Sequence, residues 1–158
     1  MFGISIPTRT ATLYTSSGTL APFITSTIAQ SGRATAAVLL LPEAKLAAHA
    51  NKLVRISSFS LTQRDLLDSI HRVAGTSDAD WTIETKDVQE RVAEGREKLS
   101  KGDFTGMVDL LYGGVMTKGL GDQYREGTAN EELGLPTEHL DDVVKEVVKS
   151  LEKNGKQE

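Results

Sequence analysis

The chain of 158 residues contains no cysteine, which removes disulfides, thiolate metal sites and cysteine nucleophiles from consideration. Aromatic residues are scarce, at 5% with a single Trp, so a core must be assembled from Ala, Val, Ile and Leu. Long apolar runs are missing too. The strongest, "ATAAVLLLP" over 34–42, is far too short to span a bilayer. The N-terminus has neither a basic segment nor a continuous apolar one, so it does not read as a signal peptide. A soluble, cytoplasmic protein is the expectation. No basic stripe exists that would suit a nucleic acid.

What is present is unevenly charged. The net charge is −4, yet residues 1–50 carry only Arg9, Arg33, Glu43 and Lys45. At this length the chain can form one domain, or a substantial part of a larger one.

Alternation over 8–14 predicts a strand, as does "NKLVRISSF" over 51–59, with 52–58 its centre. "DWTIET" over 80–85 predicts a third. A helix is predicted over about 27–41, opened by Thr27 and Gln30 as a capping box and closed by Pro42. Thr62 and Asp65 make a second capping box, with Leu61 able to staple onto Leu66. Leu66, Leu67, Ile70, Val73 and Ala74 then form one stripe, and Gly75 supplies the stop. Two further helices are predicted over about 86–100 and 103–116. A last helix over 137–153 is capped by Thr137, with Asp141 one turn before Lys145. The glycine-spotted segment 113–136 reads as a surface loop, and residues 154–158 as a frayed tail.

Chemical motifs are mostly excluded. A dinucleotide fingerprint requires G-x-G-x-x-G between a strand and a helix. Gly113, Gly114, Gly119 and Gly121 follow a helix and have the wrong spacing. No Tyr is followed four residues later by Lys, the pairing that lowers a phenol's pKa in one class of reductase. His49, His71 and His139 are scattered, with no ligand partner at metal spacing, and read as structural or solvated. No G-x-S-x-G elbow occurs. One stripe, Phe104, Met107, Val108, Leu111, Tyr112 and Met116, reads first as core. With two Met and a Tyr beside a glycine-rich loop, it is also a candidate wall for an apolar small molecule. Phe104, Met107, Leu111, Tyr112 and Met116 are therefore the candidate substrate-binding residues.

Four segments in order, "RTATLY", "TSTIAQSGRATAAVLLLPE", "ANKLVRISSFSLTQRDLLDSI" and "GLPTEHLDDVVKEVV", resemble the fungal NmrA-like, isoflavone-reductase-like proteins. The resemblance covers most of the chain and lies in the ordered set rather than in one motif. It implies an α/β fold: the C-terminal, substrate-binding part (1–153) of a Rossmann-type protein, helix-rich with a few short strands. The dinucleotide-binding half would be lacking, so the chain would not begin naturally at Met1. Strands 8–14 and 80–85 would form a small sheet under helices, and the segment from Phe104 to Met116 would face a substrate cleft. The family's NADPH loop and active-site Lys belong to the other half, so no residue here inherits either role and no cofactor is expected for this chain alone. An NAD(P)-dependent reductase scaffold without its cofactor site is the implied class. A cofactor-independent isomerase or cyclase, or a binding module of the kind NmrA represents, is the alternative. Loss of a sheet neighbour at 52–58 would favour a homo-oligomer through that strand.

Overall fold

The computed structural model describes residues 2–123 and 127–154. Among these the chain is α/β, with six helices and short strands in two sheets. The elements are β1 (Ile4–Ser5), β2 (Thr10–Ser16), β3 (Thr19–Leu20), β4 (Phe23–Thr25), α1 (Ile28–Leu39) and α2 (Glu43–His49). There follow β5 (Phe59–Leu61), α3 (Gln63–Ala74), β6 (Thr82–Asp87), α4 (Val88–Ser100), α5 (Gly106–Val115) and α6 (Leu140–Asn154).

The larger sheet is built around β2. Along one edge β6 runs parallel to it, from Thr10 opposite Thr82 to Thr15 opposite Asp87. The other edge is shared by two short antiparallel strands, β1 at Thr10–Ala11 and β3 at Thr15–Ser16. Between them the ladder has a gap, which the Gln63 side chain fills. Its Oε1 accepts the Tyr14 N–H at 2.6 Å, and its Nε2 donates to the carbonyls of Thr12 at 2.9 Å and Phe2 at 2.7 Å. The side-chain amide thus serves as one peptide unit of a missing strand. Gly3, at φ +77°, allows this approach, since a β-carbon there would lie 2.9 Å from Gln63 Nε2.

Gln63 is the first residue of α3, so the same contact docks that helix on the sheet. Thr62 and Asp65 form the expected reciprocal cap, and Gly75 ends the helix in the left-handed region. The buried stripe of α3 meets Ala11, Trp81 and Val144 in the main core, with Leu67 and Ile70 at its centre. α6 closes the other side. Asp141 accepts from buried Ser69 at 2.6 Å and from both Arg72 Nε and Nη2, at 2.9 and 2.7 Å. That pairing replaces the expected one with Lys145, because the bidentate Arg fork across the helix interface matches a carboxylate better than one ammonium.

α4 and α5 cross through glycines. A β-carbon on Gly95 would lie 2.9 Å from the Gly106 carbonyl oxygen, and one on Gly113 would lie 2.6 Å from Val92 Cγ2. Gly113 and Gly114 therefore belong to α5, and the loop expected from 113 begins after Met116.

Three expectations need correction. Residues 51–58 form no strand; the ladder holds only Phe59–Leu61, paired with β4. The polar backbone of 55–57 is satisfied irregularly instead. Asn130 exchanges both amide bonds with Ser57, at 3.1 and 2.6 Å, and the Arg55 carbonyl accepts the Ala129 N–H. An interface through a strand at 52–58 thus has no strand to use. The last helix starts at Leu140, not beside Thr137, because the Pro136 carbonyl is taken by Gln30 Nε2 and the Glu138 carboxylate by Thr27 and Ser58. Thr27 does cap α1, but Gln30 completes no box, since its side chain is buried against Pro136. The tail expected to fray at 154–158 lies outside the described residues beyond Asn154. No helix among the described residues is long and apolar enough to cross a membrane.

Replacing Gln63 by Leu orphans a buried N–H and C=O on β2, each worth about 1–3 kcal/mol. Chemical denaturation should show a loss of about 2–4 kcal/mol. A loss below about 0.5 kcal/mol, the level of an ordinary surface change, would show that the ladder gap does not matter. Asp141 generates a second expectation. Arg72, and then Ser69, hold its carboxyl at about 2, below the ordinary 3.8. The folded value is the lower one, so its support is complete above about 3.8 and is lost as the pH falls through about 2. Asp141→Asn should flatten the stability profile in that window; an unchanged acid limb would refute the link.

Candidate functional site

The site is an apolar cavity of about 650 Å³ between the small sheet and α6. Its geometry follows from strand alternation. In β4, Phe23 and Thr25 point inward while Ile24 does not; in β5, Phe59 and Leu61 do so while Ser60 does not. The opposite wall is the apolar stripe of α6, Leu140, Val143, Val144 and Val147. Ile4 and Ile6 close the inner end with α3, and Ser26, Thr27 and Ile28 form the rim.

One end is an ordered aromatic wall. Phe2 stacks on Phe23 with centroids 5.0 Å apart, and meets Tyr112 edge-on at 5.1 Å. Behind Tyr112 lies buried Arg91, its guanidinium 5.4 Å from the Tyr112 centroid and 5.0 Å from that of Tyr14. Stacking in a desolvated site contributes on the order of 2 kcal/mol. Arg91 Nε also donates to Asp109, which takes Lys98 Nζ at 2.6 Å. Lys98 first, and Arg91 after it, hold the Asp109 carboxyl below its usual range, although burial works against them. The wall is thus pinned to the α4–α5 pair through charge as well as packing.

The five candidate residues are separated by this arrangement. Tyr112 lines the cavity. Met116 lies beneath it, 1% exposed, with Sδ 3.9 Å from Arg91 Nη1. Phe104, just before α5, and Met107 and Leu111 on its outer side are 79%, 61% and 63% exposed. The lining from β4, β5 and α6 was missed. "FIT" and "FSL" alternate correctly, but each strand spans only three residues, too few for the pattern to stand out.

The rim carries a polar joint. Glu138 accepts from Thr27 at 2.9 Å, Ser58 at 2.6 Å and Arg33 at 2.9 Å. Burial pushes its carboxyl up, but the hydrogen bonds from Ser58, Arg33 and Thr27 outweigh burial and leave it lowered. A carboxylate held in this way is a brace between α1 and the start of α6, not a base waiting for a proton.

His71 also acts structurally. Trp81 Nε1 donates to Thr76 Oγ1 at 3.2 Å, the same hydroxyl hydrogen-bonds His71 Nδ1 at 3.0 Å, and His71 Nε2 meets Asp78 at 2.9 Å. The sequence offered no carboxylate partner because Asp78 returns only through the turn after Gly75. His49 meets Glu132 at 3.0 Å. No group of three or more His, Asp or Glu among the described residues could hold a metal.

The resemblance places the family's dinucleotide in another half; a phosphate held here would need free amides at a strand-to-helix junction. Among the described residues there are three such junctions, and a carboxylate stands at each. Before α1 it is Glu138 on the capping Thr27; before α3 it is Asp65, bonded to the Thr62 N–H. Before α4 it is Asp87, bonded to the Gln89 N–H, with Glu90 on the Asp87 N–H. Negative groups already compensate these helix dipoles, so the described residues do not fit a pyrophosphate.

Comparison with known proteins finds similarity to part of a protein described as an oxidoreductase. The chain is similar to "Oxidoreductase aprR" from Aspergillus flavus, 30% identical over 113 residues. The match takes in 70% of this chain but 36% of that relative, so the chain spans about a third of its length. No protein-family model matches the chain. No solved structure matches it either.

Proposed function

We propose that this chain is the substrate-binding portion of an oxidoreductase of the NmrA-like, isoflavone-reductase-like kind, and that by itself it holds no nicotinamide dinucleotide. The observation that carries this reading is a formed apolar cavity together with strand-to-helix junctions that, among the described residues, are each occupied by a carboxylate. Similarity to part of a fungal oxidoreductase supports it. Its role is to bind and orient an apolar substrate and exclude water, while another portion supplies the dinucleotide. No acid or base from this chain is assigned a chemical step. Calorimetric titration with NADPH should give no saturable heat. Stoichiometric binding at micromolar affinity would overturn the reading.

A second reading, docking on protein, is favoured by surface area. The chain exposes 10,102 Å², against roughly 7,700 Å² for a compact monomer of its mass. Part of that surface is apolar: Ile28, Leu39 and Leu40 on and just beyond α1 are 93%, 72% and 83% exposed. Phe104, just before α5, and Met107 and Leu111 on it form a similar exposed group and belong, on this reading, to a covered face rather than a pocket. Surface of this kind marks an interaction site. Sedimentation equilibrium of the purified chain should show self-association; a monomer at high concentration would remove this second reading.

A further inference from the structure

We propose that the cavity takes an uncharged, largely apolar ligand bearing one hydrogen-bonding group, a hydroxyl or a carbonyl, and that the Thr25 hydroxyl anchors that group. The inference rests on the reading of the cavity as a substrate site and adds the class of substrate and its orientation.

The charge of the ligand follows from the walls. No Asp, Glu, Lys, Arg or His side chain lines the cavity. An ion entering it would lose its water without gaining a counter-charge, which strongly disfavours charged ligands. The apolar bulk of the ligand follows from Phe2, Phe23, Phe59 and the α6 stripe.

The single polar contact follows from an inventory of hydroxyls. Four hydroxyl side chains reach the lining: Thr25, Ser26, Thr27 and Tyr112. Ser26 Oγ donates to the Ile56 carbonyl at 3.3 Å. Thr27 Oγ1 donates to Glu138 and accepts the Gln30 N–H. Tyr112 has a further interaction of its own besides its ring contacts. Thr25 alone is left with its hydroxyl unpaired among the described residues.

Its place in the sheet is equally specific. Thr25 stands opposite Phe59 and two residues after Phe23, at the one polar position on an otherwise aromatic and aliphatic face. Its backbone carbonyl accepts the Ser58 N–H at 2.9 Å, which leaves the side chain free to serve the cavity. No buried side-chain nitrogen or oxygen among the described residues lacks a partner. The unpartnered Thr25 oxygen is therefore not sealed in the core, and Thr25 is one of the cavity's lining residues. A hydroxyl both donates and accepts, so a carbonyl or a hydroxyl on the ligand would satisfy it.

The test uses the full chain and two probes of matched shape, benzyl alcohol and ethylbenzene, titrated with amide shifts followed by NMR. Both should shift residues around Phe59, Leu61 and Val144, and the alcohol should gain from Thr25. Thr25→Val removes only the hydroxyl, and as that hydroxyl has no protein partner the thermal midpoint should hold. Affinity for benzyl alcohol should fall roughly fivefold, about one net hydrogen bond, with ethylbenzene unchanged. Thr25→Ser should retain the alcohol's affinity. If both probes bind at the lining but Thr25→Val treats them alike, the anchor is wrong and the substrate-site reading stands. If neither probe shifts the lining residues, the substrate-site reading itself falls, and the anchor with it.

Discussion

One side-chain amide holds the architecture together. β2 is the strand on which the larger sheet depends, yet one of its edges is covered by two fragments of two residues each. Neither fragment is long enough to satisfy that edge. Gln63 supplies the missing donor and acceptor from the first turn of α3, so closing the sheet and docking the helix are a single event. The helix then brings Leu67 and Ile70 onto Ala11 and Trp81, and α6 follows through Ser69 and Asp141. A buried amide without its partners would cost more than it contributes; here every group of it is used.

The acidic residues have a common role. Asp65 and Asp87 satisfy helix N-termini, Glu138 braces α1 against the start of α6, Asp141 joins α3 to α6, and Asp109 ties α4 to α5. Their carboxylates are spent on construction. Three of these five, Asp65, Asp87 and Glu138, occupy the junctions that could otherwise receive a phosphate. The same use of charge leaves α1 attached mainly at its first turns, by Thr27, Gln30 and Arg33. Ala34 is the only apolar residue of that helix that is buried.

The cavity belongs to elements distant in the chain. β4 and β5 are separated by two helices, α6 lies at the far end, and the Arg91-backed Tyr112 closes one side. Its walls are hydrophobic, and its order comes from interactions just outside it. The cation over Tyr112 and the Glu138 brace hold the lining from outside, while the Phe2–Phe23 stack orders it from within the wall.

The sequence by itself determined what is local. Thr62, Asp65 and Gly75 delimit α3 because caps and left-handed stops act over three or four residues. The strand predicted at 8–14 and the one at 80–85 are present as β2 and β6, shifted by two residues. Tertiary structure decided what depends on distant partners. Val54 and Ile56 have a strand-like pattern, but Asn130 takes the backbone at Ser57 and no ladder forms. Thr137 is a sound cap by composition, but Gln30 takes the neighbouring carbonyl and the helix starts later. Of the candidate site residues only Tyr112 reaches the cavity, because a helical stripe specifies a face and not what that face meets. A side chain's neighbours across a hundred residues are set by the closing of the fold, and no local pattern encodes them.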